Sequence, residues 1–291
     1  MFNPQLETLQ TMKRVLFFAI VGAILAACNE DEPVYLPEPK DDTEVVTLTF
    51  RQKYTTEPMS KAAIDEMVTR LDVYLICGTE VMEFHQDKTV DEAFGVISAT
   101  LNKTKTYNLY AVGHKGASPV TLEDNVFSFV NNKVTETLFN ATTFTPSYAS
   151  NLNITMDRVI GQFRFIIQDA LPENMYKIKF SVSDTGLGMN LSGNPTNMGT
   201  KVSEFVNPST GQDGSTTFKI NCLATNTVEV VDVTVTAYDD EDNVIEEKTF
   251  EDVPLRRGYV TTYKGTFFVS TNLSFSFTCS SEWTNYDEVN Y

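Results

Sequence analysis

Histidine is nearly absent from this chain: His85 and His114 are the only two. Neither stands at metal-ligand spacing from another ligand, and Cys77, Cys222 and Cys279 are scattered, so the sequence offers no zinc site. His114 falls in Gly113-His114-Lys115-Gly116, which reads as a turn with a solvated imidazole, and His85, near Glu83 and Asp87, reads the same way. Tryptophan is reduced to Trp283, which withholds the usual flat platform for stacking sugars. Positive charge is scarce. With 22 Lys and Arg against 39 Asp and Glu, the net charge is −17, and no compact basic patch offsets it. Such a chain repels phosphate backbones and anionic membrane surfaces, so nucleic acid is not an expected partner. Nucleophile motifs of the Gly-x-Ser-x-Gly kind are missing, and Gly186 to Gly193 has neither the Lys nor the strand-to-helix setting of a phosphate loop. Asp239-Asp240-Glu241-Asp242-Asn243 lacks the Gly and distal Glu of an EF-hand, so it reads as a solvated hairpin tip in preference to a Ca²⁺ loop. No catalytic residue, cofactor or metal site is predicted, and the chain is read as a non-enzyme.

Long apolar runs are also missing, with one exception. Met12-Lys13-Arg14 opens a basic start, Val15 to Ile24 is continuously apolar or small, and Leu25-Ala26-Ala27-Cys28 closes the run. That stretch falls short of the roughly 20 apolar residues a permanent span needs. Its order of charge, apolar middle and small end is that of a secretory signal. The eleven residues before Met12 fit no part of a signal, so Met12 is read as the start. The Leu-Ala-Ala-Cys ending resembles the lipobox of bacterial lipoproteins. Cleavage between Ala27 and Cys28, with acylation of the Cys28 thiol, is therefore preferred to an ordinary signal with an incidental Cys. Three carboxylates follow at Glu30, Asp31 and Glu32, then Pro33, Pro37 and Pro39, then Asp41 and Asp42. This composition cannot bury enough apolar surface to offset ordering entropy, so residues 28–44 are read as an extended tether. The acidic cluster beside the Cys resembles the surface-export signal of Bacteroidota lipoproteins; the alternative is a solvated linker with no address.

Beyond the tether, strand signals dominate. Thr, Val, Phe and Tyr recur at period two in short runs punctuated by Asn and Asp. Strands are predicted over Val45–Phe50, Leu71–Cys77, Phe94–Leu101, Tyr107–Val112, Ile154–Ile167, Tyr176–Val182, Phe218–Leu223, Val228–Tyr238, Val244–Phe250, Tyr259–Val269 and Leu273–Cys279. Ser60 to Arg70 reads as a short helix capped by Ser60. Gly113 and Gly116 read as strand breakers, residues 120–150 alternate too weakly to place, and the Gly-, Asn- and Ser-rich stretch 184–215 reads as a long irregular loop. Cys77, Cys222 and Cys279 each follow the apolar parity of their strands, as core-facing thiols do. An export route permits a Cys222–Cys279 disulfide, but free thiols are the preferred reading. The spacing of short strands predicts two antiparallel β-sandwiches, 45–155 and 156–291, behind a signal (1–27) and tether (28–44).

Several phrases carry a family resemblance. Thr69-Arg70-Leu71-Asp72-Val73-Tyr74-Leu75 and Lys105-Thr106-Tyr107-Asn108-Leu109-Tyr110-Ala111-Val112-Gly113 mark the first half. Arg158-Val159-Ile160-Gly161-Gln162-Phe163-Arg164-Phe165, with Leu171-Pro172, opens the second, and Val253-Pro254-Leu255-Arg256-Arg257-Gly258-Tyr259-Val260-Thr261-Thr262-Tyr263-Lys264-Gly265 stands near its end. Together with the lipobox these resemble the fimbrillin superfamily of Bacteroidota, which includes fimbrial anchor and tip lipoproteins. The resemblance implies an all-β fold of two tandem transthyretin-like sandwiches. It also implies a lipid-anchored, surface-exposed outer-membrane protein working in cell adhesion as an accessory, tip or anchor subunit. Its partners would be other fimbrial subunits or surface proteins, with a host or glycan ligand in reach. The rival reading is a glycan-binding surface lipoprotein, which survives through the 12 Tyr.

In polymerising fimbrillins, as the resemblance implies, an Arg-specific protease removes an N-terminal strand and a neighbour's strand fills the groove. Here Arg51 follows Val45–Phe50 directly and is the candidate processing site, an ordinary edge-strand Arg being the alternative. Parity separates Val46, Leu48 and Phe50, the more apolar set, from Val45, Thr47 and Thr49. The first set is predicted to face the core and the second to face outward. Leu273 to Cys279 reads as either a donor strand or a normal last strand.

Overall fold

A computed structural model describes residues 42–53, 64–148, 150–268 and 276–280, the last stretch by its backbone alone. Among these residues the fold is all-β, with three 3₁₀ turns and no α-helix. The first half is built from β1 (Thr43–Gln52), β2 (Arg70–Cys77), β3 (Glu80–Asp87), β4 (Val96–Asn102), β5 (Tyr107–His114), β8 (Thr137–Phe144) and β9 (Asn151–Arg158). They form one path in the order β3-β2-β5-β8-β9-β1-β4. It turns a corner where β8 meets β9 through only two residue pairs, Leu138 with Arg158 and Phe139 with Asp157. The two limbs face each other over a core of Val46, Leu48 and Phe50 from β1, Leu71, Val73 and Leu75 from β2, and Ile154 and Met156 from β9. Period-two apolar residues make each strand half-buried, and the limbs close on one another to hide them.

The second half is built from β10 (Ile160–Ile167), β11 (Lys177–Asn190), β12 (Pro195–Val206), β13 (Thr216–Leu223), β14 (Glu229–Tyr238), β15 (Val244–Leu255), β16 (Val260–Gly265) and β17 (Ser276–Ser280). Its path is β15-β14-β11-β13-β10-β16-β17, with β12 added along β11. A bulge between Val182 and Thr185 bends β11, so that past it Gly186 meets Leu223 of β13. Phe163, Phe165, Phe180 and Phe218 fill the core between the limbs. Each half holds one parallel pair, β1 with β9 and β10 with β16. The second pair unites two phrases that carried the family resemblance. Gly161 on β10 lies so close to the Arg256 carbonyl that a Cβ there would approach it to 2.6 Å, and the Gly258 N–H donates to the Ile160 carbonyl at 2.8 Å. Only glycine allows the two segments that approach.

Within the described residues the predicted strands are present, Ile154–Ile167 as two that part at Val159 and several longer than expected, while Val269 and residues 273–275 lie outside the described residues. Four expectations need correction. In place of a helix over Ser60–Arg70, the described part holds a 3₁₀ turn, Ile64–Glu66, and then strand from Arg70; Ser60 lies outside the described residues. Ile64 and Val68 are drawn into the first core. β3 was not anticipated, because its Glu80, Glu83 and Asp87 mask the pattern of an edge strand. β5 runs through Gly113 to His114, since Gly113 makes the tight approach to Val68 that a larger residue would crowd. Residues 184–215 are mostly strand: β11 continues to Asn190 and returns as β12. Gly186 sits in that hairpin because a Cβ there would meet Pro195 Cβ at 2.4 Å. Gly186, Gly188 and Gly199 are close-approach residues inside a sheet, whereas Gly193, Gly211 and Gly214 do lie in turns.

The weakly patterned stretch between β5 and β8 links the halves. It contains β6 (Thr121–Glu123) and β7 (Val126–Ser128), joined by Asp124 and Asn125, both at positive φ, as a two-residue hairpin requires. β7 pairs with the far end of β11, Phe127 opposite Met189, and so adds a strand to the second sheet. A third core gathers there: Tyr74, Val112, Val120, Phe127, Phe129 and Phe139 against Val159, Ile160, Met189 and Leu223. Residues 115–135 thus form a brace.

Candidate functional site: an interior first strand and a buried His-Asp-His cluster

β1 is an interior strand. It pairs antiparallel with β4 from Thr43 to Thr49 and parallel with β9 from Thr47 to Gln52. Val46, Leu48 and Phe50 are buried, whereas Val45 is 59% exposed, so the parity expected from the sequence holds. Arg51 is half-buried within β1 opposite Thr155, and the next ladder contact is the Lys53 N–H donating to the Met156 carbonyl at 3.0 Å. Ala27 and Cys28 lie outside the described residues.

A second arrangement brings together residues that no spacing along the chain joins. Arg70, Asp72 and Tyr74 of β2 stand on the face of the first sheet opposite the Leu71, Val73 and Leu75 core, beside Asp87, His85 and Glu83 of β3. Asp72 is fully buried and accepts three N–H groups. His85 Nδ1 lies 2.7 Å from one carboxylate oxygen; His114 Nε2, at 2.8 Å, and the Val120 N–H, at 2.9 Å, share the other. The Gly116 N–H donates to His114 Nδ1 at 2.9 Å, which fixes the proton of the neutral ring on Nε2. The Tyr74 hydroxyl donates to the Val120 carbonyl at 2.6 Å, so both backbone groups of Val120 are tied to β2. Burial, then the negative charges of Asp72 and Glu83, raises the Tyr74 pKa and keeps its donor in place. The solvated turn expected for His114 is overturned: the ring is 1% exposed, edge-on to Phe129, beneath the brace. His85 remains partly exposed, with Nε2 3.5 Å from Glu83. An acid in the middle of Leu71-Asp72-Val73-Tyr74-Leu75 was the one visible signal, since a buried carboxylate needs partners.

The opposite end of the brace is held by Lys201 of β12. Its ammonium group donates to the carbonyls of Val134 and Asn221, and burial lowers its pKa. Arg158 and Glu136 form a largely buried pair at 2.5 Å across the β8–β9 corner. Arg257 donates to the carbonyls of Ala224 and Gly193. At the acidic hairpin, Asp239 receives the N–H groups of Glu241 and Asn243, while Asp242 pairs with Lys177 at 2.5 Å. The Asp239 oxygens are engaged in the turn itself and Asp242 by Lys177 of β11. Among the described residues no group of three or more His, Cys, Asp or Glu side chains is arranged to hold a metal. Cys77 and Cys222 are free thiols, and burial pushes the Cys222 pKa up.

Comparison with solved structures shows the fold in other proteins. A candidate adhesin from Bacteroides ovatus shares 13% identity at a TM-score of 0.52, over 81% of this chain and 96% of its own. A candidate polysaccharide-binding protein (DUF1812) from Bacteroides thetaiotaomicron shares 11% at 0.53, over 85% and 99%. The fimbrial anchor protein Mfa2 of Porphyromonas gingivalis is similar at 12% and 0.43, over 76% and 90%, a value too low to weigh. No curated protein matches in sequence. The all-β fold expected from the strand phrases is thus shared with the first two of these proteins. A family model described as a family of unknown function (DUF6562) matches residues 99–289, more than half of the sequence, and the chain belongs to that family.

Proposed function

We propose that this chain is a surface-exposed, lipid-anchored adhesion protein of fimbrial type, an accessory, tip or anchor subunit that joins its neighbours by β-strand addition. The observation that carries the reading is β1, an interior strand that directly follows the segment read as tether, with Val46, Leu48 and Phe50 buried beneath it. Replacing such a strand with one from another chain restores every backbone hydrogen bond, and alternating side chains set the register. In this reading the fold is two transthyretin-like sandwiches, 45–155 and 156–291. Signal cleavage after Ala27 leaves a lipid on Cys28, residues 28–44 form the tether, and cleavage after Arg51 would free β1. Left uncut, β1 keeps the protein on its lipid, as an anchor requires. The adhesin-like fold neighbour supports the surface setting. No catalytic step belongs to this reading.

Mild-detergent purification of the mature protein from its own cells tests it. β-rich surface partners should co-purify, and a lone monomer in every preparation would overturn the assembly role. Mass spectrometry should find an acylated Cys28 at the mature N-terminus, and Cys28→Ala should release the protein from the membrane. Glycan capture is the second reading, favoured by the polysaccharide-binding description of one fold neighbour. It demands retention on a polysaccharide gel that weakens when Tyr148, 89% exposed, becomes Ala.

A further inference from the structure

Both histidines of the chain meet on Asp72, and the oxygen of Asp72 that holds His114 also holds the Val120 N–H of the brace. The groups around them are few. β2 contributes Arg70, which pairs with Asp87 of β3 at 2.7 Å, and Tyr74, bonded to Val120. β3 contributes Glu83 beside His85, β5 contributes Tyr110 opposite Tyr74, and the brace carries Lys115 and Lys133, both exposed. The two rings differ in what a second proton does. His85 has its Nε2 near solvent and Glu83, so protonation there adds a charge beside a carboxylate and breaks nothing. His114 has only Nδ1 free of a proton, and that nitrogen accepts from the Gly116 N–H at 2.9 Å. Protonating it sets two N–H groups face to face between a buried ring and a half-buried turn.

We propose that the His85–Asp72–His114 cluster is an acid-release clasp. At neutral pH it fastens the 115–135 brace to β2; when His114 takes its second proton, the turn at Gly116 is expelled and Val120 is freed. The brace supplies β7 to the second sheet and much of the third core, so its release loosens the join between the two halves while leaving each half's own core intact. The device is independent of any fimbrial role. It answers to pH alone.

Amide hydrogen exchange on the mature protein, corrected for intrinsic rates, reads the clasp directly. Between about pH 7.5 and about pH 5, protection at Val120 and along β7 should fall about tenfold or more while β1 and β4 hold theirs. His114→Gln keeps an N–H toward Asp72 and does not titrate, so its brace should stay protected over the same range. An unchanged brace in the wild type, an equal loss in His114→Gln, or a uniform loss throughout the chain would each overturn the proposal. If His114→Gln does not fold, the Gly116 N–H of the wild type decides. Its protection should fall together with that of Val120 as the pH drops, and a Gly116 N–H that keeps its protection while Val120 loses it refutes the clasp.

Discussion

Tyr74 is buried with its hydroxyl 2.6 Å from the Val120 carbonyl, and both groups lie in the third core, out of reach of water. Tyr74→Phe would leave that carbonyl unsatisfied, at a cost of about 1–3 kcal/mol in a chemical unfolding titration. A change below the error of the measurement would mean that the carbonyl finds another partner. Lys201 makes a prediction with a sign. Burial lowers its pKa in the folded state, whereas the unfolded chain keeps the proton up to the ordinary value of 10.5. Between the lowered pKa and 10.5 the unfolded state binds more protons, so stability rises with pH through that window. Below it the full desolvation cost of the ammonium group is present. Relative to Lys201→Met, the wild type should gain stability as pH climbs toward that upper limit. A difference that stays flat or falls would show that the folded state holds the proton as tightly as the unfolded chain, the buried ammonium being fully compensated.

Among the elements, β1 is the one on which function turns. Burying Val46, Leu48 and Phe50 contributes roughly 5–9 kcal/mol before entropy, at about 1.5–3 kcal/mol per large side chain. Leu48→Ala alone should cost about 2–5 kcal/mol, because the site is closed by both limbs of the first half. A mature protein lacking residues 28–51 should melt lower, or associate with strands from other chains on size exclusion. A stable, strictly monomeric truncation would exclude strand exchange. Arg51 lies within a paired ladder, and a protease needs an extended, unpaired segment. Cleavage after Arg51 by an Arg-specific protease should therefore be slow in the native state and speed up as mild denaturant opens β1. A rate independent of denaturant would mean that this end of β1 already frays.

Across the whole molecule, the brace decides whether the halves behave as one body. It is pinned by Asp72 and Tyr74 at one end and by Lys201 at the other, with β7 in the second sheet between them. Melting followed by calorimetry and by tyrosine fluorescence should therefore give one coincident transition at neutral pH. Two separated transitions would show that the third core is too weak to couple the halves.

By itself the sequence determined the all-β class and most strand positions, because period-two burial leaves its mark residue by residue. It determined the inward set of β1 for the same reason, Val46, Leu48 and Phe50 being the only sufficiently apolar parity. Local pattern also marked the hairpin at Asp239, whose side chain closes its own turn. Tertiary structure alone decided the rest. β3 hides its pattern because an edge strand exposes charge, and β12 hides behind glycines whose purpose is the close approach of a neighbouring backbone. The His85–Asp72–His114 cluster joins residues from β2, β3 and β5, and Val120 from the brace. No spacing along the chain encodes that meeting, because strand register and the burial of Asp72 are set by partners far away in sequence.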